Sequence, residues 1–221
     1  MKLLALSDIH SNFGAIEKLR EKIKEGKDSV ELIAIAGDIT SYGSRDDAEK
    51  GLMELEKICK KIFFVPGNLD TREVIEFFEE KELSLHAKKA EFKGYDFIGF
   101  GGSVKSVGDI VFQEKEIYET LKKLFEEAGN SGRTILLTHS PPKNTKIDLS
   151  RNGMHIGSEA VRKITEEEQP LLNLCGHVHE AGGEVMLKKT KCINVGPLKY
   201  GLANIIEIEE NKIKVKRIHL E

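Results

Sequence analysis

Short apolar runs alternate with amphipathic stretches through most of this 221-residue chain. Residues 2–7, 31–36, 61–65, 134–138 and 171–175 are rich in Leu, Ile, Val, Phe and Ala, and most are closed by Gly, Pro or Ser, which predicts buried strands. Between and after them, helices are predicted over 13–25, 45–59, 71–80, 115–128 and 156–168. In 45–59, for example, Leu52, Leu55 and Ile58 recur at helical spacing while Lys50, Glu54 and Lys57 face water. Asp70-Thr71-Arg72-Glu73 resembles a capping box, with Asp70 read as the cap that opens helix 71–80. A hairpin is predicted over 89–93 and 95–100, turning at Lys93-Gly94. The tail turns to strands at 183–188, 191–195, 202–208 and 212–219, with turns at Gly182-Gly183 and Glu209-Glu210-Asn211-Lys212. The order βαβαβα, hairpin, βαβ and a terminal β meander implies mixed sheets with helices outside. Two long connections, 101–114 and 140–155, lack a regular pattern, and such loops in a compact domain are usually functional or mobile.

The residues that close the apolar runs are more informative than the runs themselves. The first runs into Asp8 and His10, the second into Asp38, the third into Asn68, and two later ones into His139 and into His177 and His179. In open α/β sheets ligands bind in the crevice outside the carboxyl ends of the strands. Imidazole, carboxylate and amide donors collected at one such edge point to a metal centre. One donor group lies within 8–70 and the other within 139–179, so two sheets are expected to face each other beneath a shared metal-bearing edge. His86 and His219 match no ligand motif and read as structural.

Composition narrows the classes. The length suits one sizeable core, so residues 1–221 are expected to form a single domain. A net charge of −3 argues against a broad nucleic-acid surface. No apolar run approaches a bilayer span, and Met1-Lys2 leads straight into a strand, so a cytoplasmic protein without a membrane partner is expected. Cys59, Cys175 and Cys192 are an odd count without paired spacing and read as small buried hydrophobes. Cys175 adjoins Gly176-His177, but the histidines after it already supply the donors.

With SDIH at 7–10, GD at 37–38, GNLD at 67–70, TH at 138–139 and GHVH at 176–179, the chain resembles the calcineurin-like metallophosphoesterase superfamily. FIGFGGS at 97–103 and THSPP at 138–142 look like its small stand-alone prokaryotic members. The resemblance implies a four-layer α/β/β/α sandwich with two facing mixed sheets. It also implies a first metal on Asp8, His10, Asp38 and His179, and a second on Asp38, Asn68, His139 and His177, with Asp38 bridging. Phosphate esters would then be hydrolysed by in-line attack of a metal-bridging hydroxide, between ions about 3.5–4 Å apart. Two divalent ions, less two aspartates and one hydroxide, leave a charge of about +1 to attract an anionic ester. Mixed nitrogen and oxygen donors suit transition metals, manganese first, with iron, zinc, nickel or cobalt as alternatives.

One motif position departs from the family pattern. The usual Gly-Asn-His-Asp/Glu places a histidine near the leaving group, and here that position is Leu69, which cannot donate a proton. Loss of acid catalysis typically costs about 10²–10⁴-fold, so phosphodiesters with good leaving groups are favoured over monoesters. His155, in the irregular loop after His139, is the candidate substitute acid. Asn12 and Arg72, together with Asn68, are candidates for contact with a small phosphate-ester substrate. Alternatives are a non-catalytic protein-interaction scaffold on the same fold, or a nuclease. The natural substrate and the oligomeric state are left open.

Overall fold

The computed structural model describes residues 1–104 and 106–220. Its elements run β1 (Lys2–Leu6), α1 (Phe13–Glu25), β2 (Leu32–Ala36), α2 (Arg45–Glu56), β3 (Ile62–Val65), α3 (Arg72–Glu80), β4 (Lys88–Phe92), β5 (Tyr95–Phe100), α4 (Glu114–Ala128), β6 (Thr134–Thr138), α5 (Glu159–Glu168), β7 (Leu172–Cys175), β8 (Gly183–Leu187), β9 (Thr190–Asn194), β10 (Leu202–Glu209) and β11 (Lys212–His219). One sheet has the order β11-β10-β1-β2-β3 and the other β4-β5-β6-β7-β9-β8. Both are mixed: β1, β2 and β3 pair in parallel, as do β5, β6, β7 and β9, while β10, β11, β4 and β8 pair antiparallel with their neighbours.

The apolar runs are continuous because the central strands are buried on both faces. Leu3, Ala5, Leu32, Ala34, Phe63 and Val65 point toward the second sheet and meet Phe97, Ile135, Leu137, Leu172, Leu174 and Ile193. Their neighbours Leu4, Leu6, Ile33, Ile35, Ile62 and Phe64 point the other way, onto Ile16, Leu19, Leu52, Leu55, Phe77 and Phe78 of α1, α2 and α3. Ile98, Phe100 and Leu136 pack outward on α4 and α5. The result is the expected α/β/β/α sandwich. Each of these fully buried Leu, Ile or Phe side chains contributes about 1.5–3 kcal/mol.

Three details differ from the sequence reading. The four tail strands do not form one meander. β8 and β9 join the second sheet, and β10 then crosses to pair antiparallel with β1. Helix α5 begins at Glu159 rather than 156, because Ser158 caps it and the distant Glu114 carboxylate accepts from the Glu159 and Ala160 amides, both at 2.8 Å. The cap of α3 is Thr71, whose hydroxyl accepts from the Val74 amide, and not Asp70. Among the described residues no helix is long and apolar enough to cross a membrane.

Candidate metal centre

The strands β1, β2, β3, β6 and β7 all end at one edge of the sandwich, and their exit loops are tied together by backbone bonds. The Asp8 amide donates to the Gly37 carbonyl at 3.0 Å, and the His10 amide to the Asp38 carbonyl at 3.0 Å. Asp8, His10, Asp38 and His177 all have left-handed backbone, with φ of 52°, 50°, 53° and 68°. Such conformations are costly for non-glycine residues and collect at functional sites. Here they turn the side chains back over the strand ends. Close approach also explains two of the motif glycines. A β-carbon on Gly67 would lie 2.0 Å from Asp38 Oδ1, and one on Gly176 would lie 1.7 Å from Ser7 Oγ.

Seven side chains converge there from both halves of the chain. His179 Nε2 lies 3.1 Å from Asp8 Oδ1 and 3.2 Å from His10 Nε2. Asp38 Oδ2 sits between the two groups, 3.8 Å from His10 Nε2 and 3.6 Å from His139 Nε2. His139 Nε2 is 3.0 Å from Asn68 Oδ1 and 3.2 Å from His177 Nδ1. Two overlapping trios, Asp8-His10-His179 and Asp8-Asp38-His139, have donor atoms close enough to share a cation.

The orientation of these donors suits a metal. The Nδ1 of His139 donates to the Ala36 carbonyl at 2.7 Å, which leaves Nε2 of the neutral ring as a lone pair. Asn68 Nδ2 donates to the Val107 carbonyl at 2.7 Å, so its Oδ1 is the atom turned inward. Ser41 Oγ meets His10 Nδ1 at 2.8 Å and leaves the Nε2 of that ring for the centre.

Charge balance points the same way. Burial works to raise the Asp8 carboxyl, but hydrogen bonds with His10 and His179 outweigh it and hold it well below the usual range. Asp38 is pushed well above that range by burial and by the charges of Asp70 and Asp8. Asp70 is raised by burial, against hydrogen bonds from Gly67 and Thr40. Burial and the neighbouring His139 push His177 down to about 3, so it is a neutral imidazole, the form that ligates metals. Three buried carboxylates at one place are costly unless a cation accompanies them.

Other residues hold this centre in shape. Ser7 Oγ donates to Asp8 Oδ2 at 2.6 Å, and the His177 amide donates to the same oxygen at 3.1 Å. The Leu69 amide donates to Asp38 Oδ1 at 2.8 Å. Asp70, wholly buried, accepts from the Gly67 amide at 2.9 Å, the Thr40 amide at 2.9 Å and the Thr40 hydroxyl at 3.0 Å. It braces the Asp38 and Asn68 loops against each other. Sequence reasoning weighed Asp70 mainly as a helix cap and missed Ser7 and Ser41, whose only signal was adjacency to a ligand or its loop.

The remaining candidates lie outside this cluster. His155 is exposed, and its Nδ1 is 2.7 Å from Oδ1 of the buried Asp148. Asp148 also accepts from the amides of Asn144, Thr145 and Gly157, and so organises the 140–157 loop. Asn12 Nδ2 donates to the Lys199 carbonyl at 3.3 Å, and Arg72 is exposed in the first turn of α3. Cys175 is buried and free, with its thiol on the Ile193 carbonyl. His86 lies between the Phe100 and Phe112 rings with its Nδ1 accepting from the Gly101 amide, a packing role, and His219 is exposed on β11.

A family model described as calcineurin-like phosphoesterase matches residues 1–181. An uncharacterized protein of Methanocaldococcus jannaschii is 32% identical over 212 residues, covering 90% of this chain and 90% of that one. A Coxiella burnetii protein named "Probable cyclic nucleotide phosphodiesterase" is 26% identical over 153 residues, spanning 67% of this chain and 60% of its own length. The crystal structure of a Thermus thermophilus protein has a TM-score of 0.77 at 20% identity, covering 100% of this chain and 99% of that one, a likeness of fold.

Proposed function

This chain belongs to the calcineurin-like phosphoesterase family, and on that footing we propose that it is a dinuclear metal-dependent phosphodiesterase. The family implies an ester hydrolase that uses divalent metal ions. In our reading Asp8, His10, Asp38 and His179 hold one ion, and Asp38, Asn68, His139 and His177 the other. The observation that carries this is the inward-facing pair of acceptors His139 Nε2 and Asn68 Oδ1, beside a carboxylate lying between two histidine groups. Manganese is the ion we favour, with iron, zinc, nickel or cobalt compatible with the same nitrogen and oxygen donors. A bound pair supplies Lewis acidity and an acidified water for in-line attack on phosphorus.

The protein's own part is positioning. Asp38 brings charge to the shared place between the two groups, and the Leu69 amide fixes its other oxygen. Leu69 offers no proton to a departing alkoxide, which favours diesters with good leaving groups over monoesters. His155, oriented by Asp148, is the proposed proton source, and Asn12, Asn68 and Arg72 the proposed phosphate contacts. Because both sheets supply donors, residues 1–221 act as one catalytic unit. The diester reading is also supported by the name of the Coxiella burnetii relative. A cytoplasmic place of action is supported by three cysteines that remain free. A scaffold role is disfavoured because Asp8, Asp38, Asn68 and His139 are kept buried together at a cost.

The test is a panel of mono-, di- and cyclic phosphate esters, offered to chelator-treated protein resupplied with each ion in turn. We expect hydrolysis of bis(p-nitrophenyl) phosphate, restored best by manganese and exceeding that of p-nitrophenyl phosphate. Absence of turnover on every ester with every ion would contradict the enzyme reading.

A further inference from the structure

Three large apolar side chains stand exposed at the border of the metal centre. Val107, 79% exposed, gives its carbonyl to Asn68 Nδ2. Tyr42, 52% exposed, follows Ser41 and donates its amide to the Leu69 carbonyl. Tyr200, 69% exposed, places its ring centroid 6.2 Å from that of His179 at an interplanar angle of 87°. Apolar surface gathered around a polar centre is a recurrent mark of a site whose ligand has both characters.

Tyr200 is the best mounted of the three. It ends a short 3-10 turn, Leu198–Tyr200, that is bound to the first ligand loop. The Leu198 amide donates to the Ser7 carbonyl at 2.9 Å, and the Lys199 amide to the Asp8 carbonyl at 3.2 Å. The turn that carries the ring is therefore tied to the Asp8 loop, while most of the ring's surface stays open. It lines a cleft of about 600 Å³ together with Asn12 and Lys199. The Lys199 ammonium lies 5.1 Å from the centre of the ring. An aromatic face, an ammonium and an amide thus meet in one cleft beside a metal-centre histidine.

We propose that this cleft receives the organic group of the phosphate ester, and that Tyr200 is a specificity-determining residue selecting a flat aromatic or heteroaromatic ring. The assignment rests on the phosphoesterase reading and names the substrate class for it. A ring stacked on Tyr200 keeps one whole face off water, which a small alkyl or puckered group cannot do equally well.

Phosphonates are not hydrolysed as esters, so their binding separates ring recognition from turnover. Calorimetric titration of the manganese-supplemented protein with phenylphosphonate, cyclohexylphosphonate and methylphosphonate is the experiment. Wild-type protein should bind the phenyl compound roughly tenfold more tightly than the methyl compound, the order expected for one ring on one aromatic side chain. The cyclohexyl compound should fall between. Tyr200→Ala should remove the phenyl preference without changing methylphosphonate binding, and Tyr200→Phe should keep it. Equal phenyl preference in wild type and Tyr200→Ala, or no preference in wild type, would overturn the assignment. The ester panel is read separately: hydrolysis without ring preference sinks only the Tyr200 assignment, and ring preference without hydrolysis sinks only the enzyme reading.

Discussion

His139 and Asn68 face each other as two acceptors 3.0 Å apart. The His139 Nδ1 proton is committed to the Ala36 carbonyl and Asn68 Nδ2 donates to the Val107 carbonyl, which turns Oδ1 inward, so neither inward atom has a proton to share when the ring is neutral. A cation between or beside them relieves the repulsion of their lone pairs.

Asn68→Ala should therefore weaken one metal more than the other. Removing one neutral ligand should lower affinity at its ion by roughly tenfold to a hundredfold, the scale seen for disturbed metal sites. Isothermal titration with manganese should show one step displaced and one nearly unchanged. Equal weakening of both steps would contradict the division of the ligands.

Asp38→Asn should separate the cost of the empty centre from the benefit of the filled one. Without metal, the Asp38 carboxyl is raised by burial and by Asp70 and Asp8, so its ionised form opposes folding above the unfolded carboxylate range. In chelator at neutral pH the variant should melt at or above wild type. With manganese the order should reverse by several degrees, since about 1 kcal/mol corresponds to about 2–4 °C in a chain of this size. Thermal melts with and without metal check both halves of the statement.

Leu69→His should raise turnover of alkyl esters relative to aryl esters by at least about tenfold, because an acid helps only a poor leaving group. The Leu69 backbone contacts to Asp38 and Tyr42 do not depend on its side chain and survive the change. His155→Ala should lower alkyl-ester turnover and leave metal content intact. Unchanged kinetics would return His155 to a loop-ordering role with Asp148.

The terminal strands show where reading the chain stops. Helix α1 was predicted at its observed bounds and β6 at its own, since apolar periodicity and turn residues are local signals. The seven side chains that converge at this edge could be named because each lies at or just past the end of an apolar run. The partition of β8 to β11 between two sheets is set by long-range pairing, such as Leu3 with Ile206, which has no local signature. The same holds for Asp70 and Glu114. Their carboxylates act on backbone that is distant in sequence or folded back, so spacing suggested a cap at Asp70 and nothing at Glu114.

His86 should make stability depend on pH. Burial, with a smaller push from Lys88, lowers its folded-state pKa from 6.5 to about 4. The unfolded chain then binds the proton first, so stability is full above about 6.5 and falls as pH drops toward 4. The loss amounts to about 3 kcal/mol. Urea midpoints of wild type should fall between those pH values by more than those of His86→Gln. Parallel curves would contradict the assignment.

The central claim is that both halves of the chain grip a shared pair of ions. Anomalous diffraction at the manganese edge from crystals grown with manganese tests it most directly. Two peaks are expected, one against Asp8, His10 and His179, the other against Asn68, His139 and His177, with Asp38 touching both. A map without peaks at this edge of the sandwich, from protein still correctly folded, would contradict the account.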